Sequence, residues 1–219
     1  DQSAEAQAAY AVGYTELFSL ITWTSVGLMG ASATVAGQNL GAGNPDRALA
    51  GVRVASQIGL GVAAVVGALF VLIPRHLLAI FGMTDVRVID IGEQLLRYLS
   101  VSGFFITVAL CYTGALQGTG DTRSPLYISV LSQIVIPLGL CSMFQATVGL
   151  QPAYIWMAIL SGHVARCGLS VARFKQQKWR DIAVDIEPPK PRLVTAESEV
   201  PGAEPHIPMR DAPDTSRSR

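Results

Sequence analysis

The sequence predicts an all-α membrane protein, a polytopic bundle of five transmembrane helices followed by a disordered C-terminal tail. Three observations predict this class. Half of the 219 residues are hydrophobic and only 15% are charged, against roughly 25% charged in soluble domains. Five segments are long and apolar enough to cross a bilayer, which requires about 20 residues. Two of the turns between them are rich in glycine, which is typical of helix ends.

The five predicted spans differ in charge and in their special residues. They cover residues 11–37, 54–73, 98–116, 126–144 and 153–174. The first holds one charged residue, Glu16, and the second holds none, which is not expected of a buried helix in a soluble protein. The fourth contains Pro137, and proline kinks a helix and frees a backbone carbonyl. Strands are not expected, because the segments lack period-two alternation and are rich in alanine, leucine and glycine.

Basic residues in the short loops set an expected orientation. They follow the first, third and fifth spans, which places these loops and the C-terminus in the cytoplasm of a multi-pass protein of the plasma or inner membrane. Asp1 then lies outside. Because an odd number of spans begins from the outer side, we expect further helices upstream, so that the chain is a fragment of a longer membrane protein.

The end of the chain has a different composition. Residues 181–219 hold 13 of the 32 charged residues and 7 of the 12 prolines. Such a segment cannot bury a hydrophobic core. The sequence therefore divides into a transmembrane helical bundle, residues 1–180, and a disordered cytoplasmic tail, residues 181–219.

Small residues recur at helical spacing in four of the spans, and such residues favour close helix packing in lipid. Each of these spans is therefore expected to turn a small or polar side toward the bundle interior. The residues are Glu16, Ser19, Trp23, Gly27, Gly30, Ala31 and Thr34 in the first span, Gly59, Ala63 and Gly67 in the second, Gly103, Thr107, Cys111, Gly114 and Gly118 in the third, and Ala158, Gly162 and Arg166 in the fifth.

Glu16 is the first candidate for ion coupling. It lies about 8 Å inside the first span, at about 1.5 Å per residue, where an acid must be paired, hydrated or protonated. One interpretation is a proton or cation site that faces a water-filled cavity. The alternative is that the helix begins later and that Glu16 lies among the lipid headgroups.

Gln133 and Arg166 are the other candidates for ion coupling or transport. Arg166 either extends its side chain to the membrane interface or belongs to a site inside the bundle. Gln133 lies one turn before Pro137, where it either lines a cavity and contacts the freed carbonyl or makes an ordinary interhelical hydrogen bond. His163, one turn deeper than Arg166, is either a hydrogen-bonded packing residue or a proton relay.

Several other functions lack support in the sequence. The glycine turns at 41–43 and 118–120 lack the rest of a GxGxxG or GK[ST] phosphate loop and follow no predicted strand. No Ser/His/Asp or Cys/His nucleophile set stands out, so we expect no enzyme activity and no organic cofactor. Cys111, Cys141 and Cys167 occur singly in apolar segments and are expected to be packing residues rather than metal ligands. The net charge of zero does not indicate nucleic-acid binding.

An ordered set of short motifs resembles one transporter family. A membrane helix ending GQNLGAGNPDRA, residues 37–48, is followed by the turn FGMTD, residues 81–85, and by GALQGTGDTRSP, residues 114–125. Arg166 and the ending RF…KWR, residues 173–180, complete the set. In this order and spacing the motifs resemble the C-terminal half of MATE (multidrug and toxic compound extrusion) transporters, over about residues 8–180.

The resemblance implies a fold and a function. MATE proteins have twelve helices in two six-helix lobes, and they export organic cations and other amphiphiles in exchange for Na⁺ or H⁺. The five spans would match the eighth to the twelfth helices. Glu16 falls where many bacterial members carry a glutamate on the eighth helix. Ile106 stands near the position at which some members have an acid in the tenth helix, which argues against a Na⁺ site of that type here. Trp23, Thr107 and Tyr112 are candidates for lining the substrate cavity.

Two other functions remain open at this point. A lipid-linked oligosaccharide flippase of the same superfamily would need several cations in its cavity to hold a pyrophosphate, and only Arg97 and Arg166 would serve. A non-transporting membrane scaffold would act through its tail. The expected partners are an organic cation or amphiphile, the lipid bilayer and the missing N-terminal helices of the same protein, and not nucleic acid.

Overall fold

The computed structural model describes residues 2–147, 149 and 151–181. Within these residues the chain is helical and contains no strand. The helices are α1 (Ala4–Gly41), α2 (Pro45–Leu72), α3 (Pro74–Ile80), α4 (Val86–Gly118), α5 (Arg123–Thr147), α6 (Pro152–Lys175) and a final 3₁₀-helix (Lys178–Asp181). Beyond its first residue, the predicted disordered tail lies outside the described part of the chain.

Five of these helices are long and apolar enough to cross a membrane, which confirms the predicted fold class. α1, α2, α4, α5 and α6 contain 24 to 38 residues, a length of about 36 Å or more at 1.5 Å per residue. α3 has seven residues and is too short to span. Because helices satisfy their own backbone hydrogen bonds, such segments are stable in hydrocarbon.

α4 lies at the centre of the bundle. In its most apolar stretch 72% of the residues are buried, against 11–33% in the other four long helices. α1, α2 and α6 pack against α4, whereas α5 packs mainly against α6. Small residues occur on several sides of α4, so that three helices can approach it closely.

α1 and α4 touch through their backbones near one end of the bundle. A Cβ atom added at Gly114 or Gly118 would overlap the backbone carbonyl of Met29 or Ala33, respectively. A Cβ atom added at Gly37 would lie 2.6 Å from the carbonyl oxygen of Gly118. Glycine is therefore required for this contact, as its use at helix interfaces in lipid predicts.

The predicted small faces of α2, α4 and α6 are the buried ones. Gly59 of α2 packs against the side chain of Thr107, and Gly67 packs against Ser100, both on α4. On α6, Ala158 and Gly162 are buried. The sequence pattern therefore identifies the interior side of these three helices.

The prediction that the small and polar side of α1 faces the bundle interior is wrong for this set of helices. Apart from the half-buried Ser19, the residues from Glu16 to Thr34 that form it are exposed. α1 packs on α4 through its opposite side, which carries Ile21, Ser25 and Ser32. Small residues occur on both sides of α1, and the tight contact at Gly114 and Gly118 decides which side is buried.

Both glycine turns lie at the same end of the bundle, which we call the turn end. The N–H groups of Asn44 and Asp121 each donate to the carbonyl five residues earlier, at 2.8 and 2.9 Å. Gly43 and Gly120 have positive φ values of 72° and 92°. Both turns are thus Schellman caps, which confirms the prediction of helix-capping rather than phosphate-binding glycines.

A group of side chains, which we call the turn-end clamp, ties the end of α6 to the turn after α4. The buried Trp179 stacks on Phe174 with ring centroids 4.9 Å apart, and its Nε1 donates to the Phe174 carbonyl at 2.9 Å. Arg173 donates to the Asp121 carboxylate at 2.8 Å. Burial would raise the pKa of the Asp121 carboxyl, but hydrogen bonds from Ser124 and Arg173 hold it below the ordinary value of 3.8.

Gly118→Ala is expected to destabilise the protein, because the new methyl group overlaps backbone atoms of Ala33 rather than a flexible side chain. Overpacking of this kind costs about 1–3 kcal/mol. Gly61→Ala is the matched control, since a Cβ atom at Gly61 meets nothing within 4 Å. Thermal unfolding of the two variants in detergent measures the difference. Equal melting temperatures would contradict the close contact.

Asp121→Asn is expected to lower the melting temperature at pH 7. Because the folded-state pKa lies below 3.8, the carboxylate stabilises the fold above that pH, and this contribution is lost as the pH falls through the folded-state pKa. The difference from wild type should therefore shrink only below pH 3.8. The control is Asp46→Asn, whose side chain is 88% exposed in its pair with Arg180 and contributes roughly 0–1 kcal/mol. A difference that does not change with pH would argue against the ion pair.

Candidate functional site

Glu16 lies in a π-helical segment of α1, Ala11–Leu17. The N–H of Phe18 donates to the carbonyl of Gly13, five residues earlier, at 3.0 Å. Such segments occur frequently at functional sites. Because α1 extends back to Ala4, Glu16 is about 18 Å inside the helix at 1.5 Å per residue. The predicted later start of the helix is therefore wrong, whereas the position of Glu16 relative to the lipid headgroups stays a prediction.

One side of α1 combines an acid, an aromatic ring and small residues on its exposed surface. Trp23 is 72% exposed, and Cβ atoms added at Gly27 or Gly30 would meet nothing within 4 Å. Glu16 and Thr34 are exposed on the same side. We call these five residues the open face of α1. Small residues are typical of helix interfaces rather than of lipid-facing surfaces, so this composition indicates a surface that meets more than lipid.

Gln133 lies in the π-helical segment of α5, Leu131–Val135, where α5 crosses α6. Pro137 lacks the N–H that would bond the Gln133 carbonyl in a regular helix, and the π-helical segment directly precedes it. A Cβ atom on Gly162 of α6 would lie 2.5 Å from the Ser132 carbonyl oxygen. The Nε2 atom of Gln133 is buried and has no hydrogen-bond partner among the described residues. A tight helix crossing thus contains an unsatisfied donor.

His163 and Arg166 lie on α6 beside this crossing. The buried His163 stacks on Phe18 of α1 with ring centroids 5.8 Å apart, and its Nδ1 has no partner within the described part of the chain. Arg166 is half-buried, and its Nε is likewise buried without an acceptor there. Tyr14 of α1 is close enough to Arg166 to interact electrostatically. Two buried nitrogen atoms without partners among the described residues therefore lie one turn apart on α6, beside this crossing.

An unpredicted aromatic stack joins α1 to α6 next to these residues. The ring of Tyr10 lies 4.9 Å from that of Tyr14 and 6.0 Å from that of Trp156, between centroids. Tyr14 lies 5.4 Å from Phe18. The signal in the sequence is the spacing of four residues between Tyr10, Tyr14 and Phe18, which places the three rings on one side of a helix. The stack fixes α1 against α6.

Thr107 and Tyr112 pack against neighbouring helices in this structure. The Thr107 side chain is 1% exposed, and its Oγ1 lies 2.7 Å from Oγ of Ser25. The half-buried Tyr112 packs edge-on against Phe174 at the turn end, with ring centroids 5.3 Å apart. Of the three predicted cavity residues, Trp23 is the exposed one. The cavity roles of all three stay predictions.

The three coupling candidates lie in two separate places. Glu16 is on the open face of α1, whereas Gln133 and Arg166 lie along the crossing of α5 and α6. Tyr14 and Phe18, which lie beside the residues at the crossing of α5 and α6, are on the packed side of α1. An exposed acid suits a proton or cation, and unsatisfied nitrogen donors suit an anion. Within residues 2–147, 149 and 151–181, no group of three or more His, Cys, Asp or Glu side chains could hold a metal ion.

Comparison with known proteins finds relatives that are named as multidrug resistance proteins. The probable multidrug resistance protein NorM of Thermotoga maritima is 28% identical over 183 residues, which cover 83% of this chain and 39% of that protein. NorM of Deinococcus radiodurans is 30% identical over 158 residues, which cover 68% of this chain and 34% of that protein. The probable multidrug resistance protein YoeA of Bacillus subtilis is 31% identical over 147 residues, or 64% and 31% of the two chains.

The chain thus spans about two fifths or less of the length of these relatives. The MatE family model matches residues 3–143, a stretch that includes all of α1 to α4 and most of α5. This match covers more than half of the 219 residues. The chain belongs to the MatE family.

Proposed function

We propose that the chain is part of a membrane exporter, and not an enzyme, that moves drugs or other amphiphilic organic compounds in exchange for H⁺ or Na⁺. The observation that carries this proposal is the open face of α1, in a chain whose relatives are named as multidrug resistance proteins. Because the chain covers two fifths or less of those relatives, transport is proposed for the complete protein, to which this chain contributes five helices.

The open face of α1 would form one wall of the transport cavity. The remainder of the protein would supply the opposite wall, and the two would rock around the cavity in alternating access. The Trp23 ring offers an aromatic surface to an organic cation. A proton or Na⁺ bound at Glu16 would favour one facing state and the substrate would favour the other, which couples the two movements.

The charges at the two ends of the bundle support a cytoplasmic turn end and C-terminus in a plasma or inner membrane. The turn end carries Arg47, Arg53, Arg123, Arg173, Lys175, Lys178 and Arg180. The acids at the turn end are fewer, Asp46 and Asp121, whereas at the opposite end Arg75, Arg87 and Arg97 are matched in number by Asp85, Asp90 and Glu93. An excess of basic residues is typical of the cytoplasmic side.

The flippase alternative gains no support from these contacts. Arg97 is paired with Glu93 and is 66% exposed at the end of the bundle. Among the described residues this leaves Arg166 as the half-buried arginine that is in no ion pair, whereas a pyrophosphate carries several negative charges. The scaffold alternative depends on residues 181–219. Truncation of this tail distinguishes a scaffold function from transport.

Glu16→Gln in the complete protein is expected to reduce ion-driven efflux of a cationic dye without reducing the amount of protein in the membrane. A tenfold reduction in the efflux rate would correspond to about 1.4 kcal/mol of activation free energy. Asp90→Asn is the control, because it neutralises an acid that is 60% exposed at the end of the bundle opposite the turns. Dye efflux from inverted vesicles under an imposed pH or Na⁺ gradient provides the measurement. Unchanged efflux would remove Glu16 from the coupling mechanism.

Truncation after Asp181 is expected to leave dye efflux intact, because it retains the turn-end clamp with Trp179 and the pair between Arg180 and Asp46. Truncation after Gln177 is the comparison, since it removes both Trp179 and Arg180 and should lower the melting temperature. Efflux that disappears on removal of residues 182–219, at normal protein levels, would support the scaffold or regulatory alternative.

A further inference from the structure

Arg166 is a membrane arginine whose guanidinium has no counter-charge in the described part of the chain. The ion pairs there involve Arg75, Arg87, Arg97, Arg173 and Arg180. Arg166 is in none of them, and its Nε is buried without an acceptor. A charged group in such a position is costly unless it is paired and hydrogen-bonded.

The surroundings of Arg166 argue against simple extension of its side chain to the nearer membrane interface. It lies nine positions before the end of α6 at Lys175, which is about 14 Å at 1.5 Å per residue. Tyr14, the group that interacts with it electrostatically, lies in the aromatic stack between Tyr10 and Phe18. Side chains on a helix tilt toward its N-terminus, so the Arg166 side chain runs toward the middle of the bundle.

The polar groups near Arg166 match one negative charge. Tyr14 interacts with Arg166 electrostatically, and His163 lies one turn away on α6 with an Nδ1 that has no partner among the described residues. The Gln133 amide lies at the neighbouring crossing of α5 and α6. Arg166 is the one cation in this set, which fits a monoanion better than a phosphate. The planar guanidinium suits a carboxylate, which it binds through two parallel hydrogen bonds.

The geometry points to a carboxylate-binding site at Arg166, between α1, α5 and α6 and separate from the open face that carries Glu16. The carboxylate comes from one of two sources, an acidic side chain of the remainder of the protein or a free organic carboxylate. Because Arg166 is only half-buried, part of its guanidinium is accessible from outside the five helices, and either source can reach it.

The test measures thermal stability of the purified complete protein in detergent, with benzoate as the free carboxylate and benzamide as its neutral counterpart. Arg166→Gln removes the charge, and Arg166→Lys keeps the charge without the planar fork. Arg123→Gln is the matched control, since Arg123 is exposed at the turn end. The readout is binding and stability, so its outcome is independent of whether the protein exports drugs.

Two outcomes support the site and distinguish its sources. If the carboxylate is free, benzoate at ten times its dissociation constant should raise the wild-type melting temperature by about 2–4 °C, benzamide should not, and Arg166→Gln should abolish the effect. If it is an internal side chain, benzoate should have no effect, while Arg166→Gln should lower the melting temperature and Arg166→Lys should largely restore it. Arg123→Gln should behave as wild type in both cases.

Two other outcomes would overturn the proposal. If Arg166→Gln melts at the same temperature as Arg123→Gln and benzoate stabilises neither wild type nor variant, Arg166 binds no carboxylate. If Arg166→Gln and Arg166→Lys lose stability equally, the positive charge that lysine retains contributes no stability, which argues against a carboxylate partner.

Discussion

The backbone contact between α1 and α4 determines the rest of the arrangement. In lipid, helices gain little from burying apolar surface against one another, so association depends on close packing and hydrogen bonds. Gly114 and Gly118, one turn apart, let α4 approach the carbonyls of Met29 and Ala33. The hydrogen bond between Ser25 and Thr107, at 2.7 Å, joins the same two helices farther along. Together these contacts fix the rotation of α1 about its axis, and this rotation leaves Glu16 on the exposed side.

The turn end of the bundle has regular helix geometry, whereas the π-helical segments lie in another part of the bundle. The turn end is held by two Schellman caps, by the Asp121–Arg173 pair and by the buried Trp179. Both π-helical segments lie away from it, and they contain Glu16 and Gln133. A rigid end with irregular helices beyond it is an arrangement in which the polar candidates can rearrange while the contacts of the turn end persist. In the proposed alternating access the two parts of the protein rock as bodies around the cavity, and a firmly held turn end suits such a movement.

The sequence predicts the fold well and the candidate site only in part. Length, hydropathy and the glycine turns predict five spanning helices and both turns at one end, because each of these features depends on local chemistry. The buried faces of α2, α4 and α6 also follow from small-residue spacing. The face of α1 does not, because α1 has small residues on opposite sides, and only its contact with Gly114 and Gly118 of α4 selects one of them. The partner of Asp121 is likewise not predictable, since Arg173 is 52 residues away.

The positions of Glu16 and Arg166 have a consequence for how charge is balanced in the membrane. An acid and a base in neighbouring helices would ordinarily neutralise each other, and such a pair would leave neither free to bind a ligand. Here Glu16 is on the open face of α1, whereas Arg166 lies near Tyr14 on the packed side. The bundle itself therefore keeps the two charges apart. Neither residue is in an ion pair among the described residues, and the partners that we propose are a cation for Glu16 and a carboxylate for Arg166. The two proposed binding surfaces, one for a cation and one for a carboxylate, therefore lie on different sides of α1.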